Sequence, residues 1–302
     1  MKKSFSGTVL VVLAAISWGL SGVSGQYLMK QGISVHLLTA LRMLLSGTIL
    51  LAFVIWKQPK QVKTVLNDKK TLIRILIFSI CGLLLNQFSY LQAIHYTNAG
   101  TATVLQYLAP VLVLAVVCFK DRSLPTVGEV AAILLATLGT FVIATHGQLE
   151  NLALTPAGLF WGLFSAVTYT LYMFLPIKLI QRWGSLLVIG LGMLMGGLVF
   201  ALVDQTWQYD AHFQTANLVA YFGLIIVGSV FAYTAFLKGI SLIGAVKGSL
   251  LATIEPIAAV LFSAVIMKEV FYPMDFLGML LIILAVLIIS VRDLLAASKG
   301  KI

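Results

Sequence analysis

The sequence is poor in charge. Asp, Glu, Lys and Arg make up 10% of its 302 residues, whereas a soluble domain carries about 25%. An ordinary water-soluble globule of this size is thereby excluded. Cysteine is scarce too: Cys81 and Cys118 are the only two, and both sit in apolar runs. That rules out a disulfide framework and any cysteine-rich zinc motif, and it predicts two buried free thiols. No loop of the form GxxxxGK[ST] occurs, so built-in ATPase chemistry is not expected. The net charge of +10 lies in short linkers and tails, with no basic stripe interleaved with aromatics. Nucleic acid is therefore not an expected partner.

What is abundant is hydrocarbon. Sixty per cent of the residues are hydrophobic, and the mean hydropathy is +1.04. Apolar runs near twenty residues recur along the chain, each long enough to cross about 30 Å of bilayer. They are too long and too uniform for the alternation of a membrane β-barrel. The pattern predicts an all-α integral membrane protein with the lipid bilayer as its surroundings. Ten spans are expected, at 8–28, 36–56, 72–94, 99–118, 127–145, 157–177, 185–204, 216–237, 243–266 and 273–291. The first lacks a small-x-small cleavage site and reads as a retained span rather than a signal peptide. The longest linker is 57–71, KQPKQVKTVLNDKKT.

Lys and Arg give the orientation. With the N-terminus in the cytoplasm, sixteen of the twenty fall in cytoplasmic segments. Only Lys30 and Lys268 fall outside, while Arg42 and Lys247 lie within spans. This bias predicts that both termini are cytoplasmic, with the protein in the cell membrane.

The chain also repeats itself. AIHYTNAGTATVLQYLAP (93–110) aligns without a gap on GISLIGAVKGSLLATIEP (239–256), at an offset of 146 that sets Ala99 on Ala245 and Pro110 on Pro256. Near the start of each half, GTVLVVLAAISW (7–18) lies against GLFWGLFSAVTY (158–169), so Trp18 meets Tyr169. Two halves of five spans follow, 1–147 and 148–302. An odd number per half inverts the second half in the membrane, a recurring design of secondary transporters with a site at the midplane.

With the LR of TALRMLLSG (Arg42), LAP followed by KDR, and SLLATIEP followed by KE, the chain resembles the drug/metabolite transporter superfamily, in its ten-helix EamA-type branch. The resemblance covers essentially the whole chain. The first half departs from the second in reading Ala109-Pro110 where the second reads Glu255-Pro256. The resemblance implies export or exchange of amino acids or related small metabolites.

Glu255 and Pro256 carry the sharpest local signal. Proline cannot donate a backbone N–H, so the carbonyl of Ala252 loses its helical partner. A carboxylate within the bilayer is costly and functional by default. Glu255 either binds a cationic or amino group of a substrate, takes up a proton, or acts as a hydrogen-bonding post that holds the kink, paired with Lys247 or Arg42. Pro110 is the matching kink, and Gln106 and Tyr107 before it can line a cavity or pair between helices. Asn86, Tyr90 and Ala93 follow helical spacing in the third span, and Gln87 falls opposite Tyr233 at the repeat offset; these either point into a central cavity or pack helices through side-chain amides. Arg42 reads as a structural or gating charge, with attraction of a carboxylate and snorkelling to the interface as alternatives. Trp18, Trp161, Tyr169, Tyr172 and Tyr233 are aromatic candidates for holding a cation. Trp18 and Tyr169 stand out because the repeat pairs them.

The four histidines, His36, His95, His146 and His212, fall at one set of span ends and read as solvated, with no metal-ligand spacing. No cofactor is expected. Gly158/Gly162 and Gly192/Gly196 are GxxxG patterns, assigned to packing inside the bundle with a homodimer as the alternative to a monomer. Uptake or exchange of a quaternary amine such as choline is the alternative transport reading. GVSG at 22–25 has the look of an intramembrane serine protease site, but no mid-span histidine serves it as a base. Nothing resembles a channel's selectivity filter.

Overall fold

In a computed structural model of the chain, residues 2–120, 122, 124–146, 153–211, 214–243, 248 and 251–298 are described. Among these residues the protein is all helix and turn, with no strand. Eight helices are at least 18 residues long and apolar enough to cross a membrane. Two further apolar helices, Ile254–Ile266 and Pro273–Ile289, are shorter. With them the chain makes an all-α membrane protein of ten helices.

In chain order they are α1 (Lys2–Lys30), α2 (Val35–Lys57), α3 (Lys69–Tyr96), α4 (Ala99–Gln106 and Ala109–Lys120), α5 (Val127–Thr145), α6 (Pro156–Phe174), α7 (Ser185–Asp204), α8 (Asn217–Ile243), α9 (Ile254–Ile266) and α10 (Pro273–Ser298). The ends are set by ordinary chemistry. Thr126 and Glu129 close a reciprocal capping box at the start of α5, and Thr155 with Pro156 opens α6. Asp68 caps α3 by accepting hydrogen bonds from the Thr71 hydroxyl and amide. Those bonds hold its carboxyl below the usual carboxylate range.

The pairing pattern is symmetric. α2 packs on α7 and α5 on α10, so corresponding helices of the two halves face each other. α1 packs on α8 and α9, while α3 packs on α6. Two further features recur at the sequence offset. α3 widens to a π-helix over Phe78–Leu84, and α8 does so over Gly223–Phe231. Adding 146 to 78 and 84 gives 224 and 230, inside the second segment. The turn at Tyr107–Leu108 that splits α4 maps in the same way onto Thr253 and Ile254, where a turn precedes α9.

The side chains turned outward suit hydrocarbon. Leu134, Val203 and Val265 are strongly exposed on the bundle, as expected where the solvent is lipid. Between helices, small residues permit close approach. Gly162 lies against Leu105, and Gly196 against Ser79 and Met43. Both GxxxG patterns therefore pack inside the bundle.

The sequence pattern needs several corrections. Segment 57–71 is not a loop: Pro59–Asn67 is a helix that starts on its proline and buries Val62 and Val65 while Lys60 and Lys63 stay exposed. The eighth span does not stop at 237 but runs to Ile243. Cys81 and Cys118 are free but only half-buried. His36 and His146 are not merely solvated. His36 pairs with Asp204 at 2.9 Å and His146 with Asp275 at 2.7 Å. Lys247, Ala245 and His212 lie outside the described residues.

Gly47 tests the closest contact between α2 and α7. A methyl group there would stand 2.5 Å from the backbone nitrogen of Leu194, and backbone cannot yield as a side chain can. Gly47→Ala is expected to destabilise the protein by about 1–3 kcal/mol. Thermal unfolding in detergent should show a clear drop in midpoint; an unchanged midpoint would mean that the two helices separate freely.

A cavity shared by both halves

A cavity of about 420 Å³ lies between the helices of both halves. Glu255, Trp18, Asn86, Gln87, Tyr90, Gln106, Tyr169 and Tyr233 all line it, as do Arg42 and Pro110. Pro256 is buried behind Glu255 without reaching the wall. Trp161 is turned away, packed among Phe88, Phe160 and Phe164.

The two breaks place the polar groups. α4 stops at Gln106, and its side chain donates to Asn86 Oδ1 at 3.1 Å. Tyr107, in the break itself, points its hydroxyl across the midline to α9. It lies 2.7 Å from the carbonyl of Ala252 and 3.0 Å from Oε2 of Glu255. The carbonyl that Pro256 deprives of an amide donor thus gains a donor from the other half of the chain. Tyr90 is held on the opposite wall by Thr103 at 2.7 Å.

Arg42 does not snorkel. It is 4% exposed, and its Nε donates to Ser229 Oγ at 3.0 Å, within the π-segment of α8. Ser229 in turn donates to the carbonyl of Leu224. The π-turns widen the helix, with hydrogen bonds spanning i to i+5, and on this segment a hydroxyl and a guanidinium are linked in series. Nη1 of Arg42 is buried with no hydrogen-bond partner. Among the described residues, Arg42 and Glu255 are the two charged side chains of the wall, and no ion pair joins them. Around them stand aromatic rings: Trp18 meets Tyr233 edge-on at 5.6 Å, and Tyr169 stacks on Tyr172 at 5.6 Å.

The two ends of the cavity differ. Toward Lys178 and Arg182 the wall continues through Pro176, Ile180, Ile189 and Leu237. Toward Lys30 the bundle is tied shut. Gln26 accepts hydrogen bonds from the backbone N–H of Ala99 at 3.0 Å and from Ser263 at 3.3 Å, and donates to Glu269 at 2.8 Å. Lys30 pairs with the same Glu269 oxygen at 2.6 Å. The His36–Asp204 and His146–Asp275 pairs lie at this end as well. Ser24 of the GVSG stretch donates to Leu20 in its own helix and packs against Gly223.

The polar residues of the wall are legible in the sequence, but these connections are not. The reach of Tyr107 to Glu255 joins residues 148 positions apart and leaves no local trace. Met173 and Phe236 of the wall carry no polar or symmetric signal at all.

Ten helices in two similar halves around a central, charge-bearing cavity define a membrane transporter. The chain belongs to the EamA-like transporter family, whose model matches residues 5–145 and again 156–291. It is 36% identical over 293 residues to the uncharacterized inner membrane transporter YicL of Salmonella typhimurium, covering 96% of this chain and 97% of that protein. It is 27% identical to the uncharacterized transporter YetK of Bacillus subtilis, covering 94% and 86%. A crystal structure at 19% identity matches it with a TM-score of 0.62 over 97% of this chain and 98% of that one, which shows the same fold.

Gln26 is the residue to remove at the tied end. Gln26→Ala leaves the N–H of Ala99 without its acceptor and cuts two further contacts. A loss of about 1–3 kcal/mol is expected, together with faster thiol labelling of a cysteine placed at Ser263. Unchanged labelling would mean that these contacts do not hold the end closed.

Proposed function

We propose that the protein is a secondary transporter of amino acids or related small zwitterionic metabolites, working as an exporter by alternating access around this cavity. One observation carries the reading: a compact cavity walled by both halves holds one carboxylate, Glu255, and one guanidinium, Arg42, not paired with each other. A zwitterion answers both charges, its ammonium at Glu255 and its carboxylate at Arg42. The volume is within the range of small-molecule sites, about 300–1,000 Å³. Glu255 is also the group that takes up a proton when no ammonium is present. The aromatic rings beside Glu255 support a second reading, a quaternary amine such as choline held by cation–π contact.

Purified protein in liposomes, tested for counterflow of labelled amino acids and choline, separates the two. Amino-acid counterflow that falls at least about tenfold in both Glu255→Gln and Arg42→Gln, with folding retained, is the expected result. Choline counterflow that Arg42→Gln spares would favour the second reading. Counterflow untouched by either substitution would remove both residues from the site.

The Lys and Arg bias supports a cell-membrane protein with both termini in the cytoplasm. A fluorescent protein that matures only in the cytoplasm should glow when fused to the C-terminus, while an alkaline phosphatase fusion there should be inactive. The reverse pattern would invert the topology.

A further inference from the structure

We infer that Tyr107 couples the charge on Glu255 to the break in α9, through the one hydrogen of its hydroxyl group. The inference rests on the reading of Glu255 as the site of a proton or an ammonium.

A phenol has one hydrogen to donate. Two acceptors flanking the break before α9 lie within its reach, the Ala252 carbonyl at 2.7 Å and Oε2 of Glu255 at 3.0 Å. While Glu255 is ionised, it brings no hydrogen of its own, so two acceptors compete for one donor. The bond to a charged acceptor is the stronger, and the hydrogen turns to Glu255. The Ala252 carbonyl, on the cavity wall, then loses that donor, and Pro256 supplies no amide to replace it. Once Glu255 carries a proton, the carboxyl O–H donates to the Tyr107 oxygen, and Tyr107 donates to Ala252. Every group in the chain Glu255–Tyr107–Ala252 is then satisfied.

A proton on Glu255 therefore completes a bridge between α4 in one half and α9 in the other. Its loss to cavity water frees the Ala252 carbonyl beside a carboxylate that keeps lone pairs to offer beyond the one Tyr107 occupies. An ammonium can donate to both at once, and it can do so only when the proton has left. Binding of substrate and of proton become mutually exclusive on one structural element, which is what an exchanger needs.

The other titratable groups of the wall are Arg42 from α2, Tyr90 from α3, Tyr169 and Tyr172 from α6 and Tyr233 from α8. Among the described residues, α1, α7 and α10 present no titratable side chain to this wall. Lys30 and Glu269 pair at the far end of α9.

Infrared difference spectroscopy between about pH 4 and about pH 10 tests this without a substrate. Wild-type protein should show a carboxylic C=O band that titrates and is lost in Glu255→Gln. In protein labelled with ring-13C tyrosine, a tyrosine C–OH band should shift at the same midpoint, and Glu255→Gln should abolish that shift as well. Tyr107→Phe should keep the carboxylic band but move it to the position of an acid with no acceptor. A titrating carboxylic band that is the same in Tyr107→Phe, with no tyrosine band following it in the wild type, would overturn the role of Tyr107 and leave Glu255 as the proton site. No titrating carboxylic band in the wild type would overturn the reading of Glu255 as a proton site, and the coupling with it. The labelled wild type keeps the test decisive if Tyr107→Phe fails to fold.

Discussion

Inside a bilayer a lipid-facing carbonyl finds no water, so a break in a helix is tolerated only where protein or a cavity covers it. The contact of Tyr107 with the Ala252 carbonyl is the answer at α9, and much else is arranged around it. It needs α4 to be broken as well, because Tyr107 sits in that break. It needs α4 and α9 to pack closely, and Gly100, near the start of α4, allows this by lying against the backbone of Val260 with no side chain of its own. It also brings the hydroxyl to Glu255. The position that carries the charge and the position that carries the kink are therefore one polar node.

The two π-segments complete the pattern. They fall at corresponding places in the two halves, as do the two breaks. The sites they build are nonetheless unlike. In the second half the π-segment holds Ser229 under Arg42. In the first, Ser79 donates to the Gly192 carbonyl of α7 and serves packing. Duplication supplied a symmetric frame, and divergence of single residues made one copy the charged one. The same holds for Ala109 against Glu255.

Much of this is legible in the sequence because membrane spans are written in composition. The apolar runs fix the helices, and the intramembrane polar residues fix the wall: Asn86, Gln87 and Tyr90 share a helix face, while Trp18, Gln106, Tyr169, Tyr233 and Glu255 are singled out by burial cost or by the repeat. What stays hidden is of two kinds. Pro59–Asn67 is rich in charge and reads as a linker, because a short helix on a membrane surface needs only Val62 and Val65 to hold it. The pairs His36–Asp204 and His146–Asp275 join residues 168 and 129 positions apart, and no periodicity records which helix ends meet. Arg42 is the instructive case. A cation seven residues into α2 can equally reach the interface, and only the place of Ser229 turns it inward.

The unlike ends of the bundle bear on the speed of each half-cycle. Opening the end near Lys30 means parting charged and amide groups that are already matched, in a setting where replacements are few. Closing the other end means bringing Ile180, Ile189 and Leu237 together, with little to break. The barrier to reversal is thus concentrated on one side of the membrane. Under the alternating access proposed above, turnover is governed by unlocking of the tied end rather than by the approach of the apolar one.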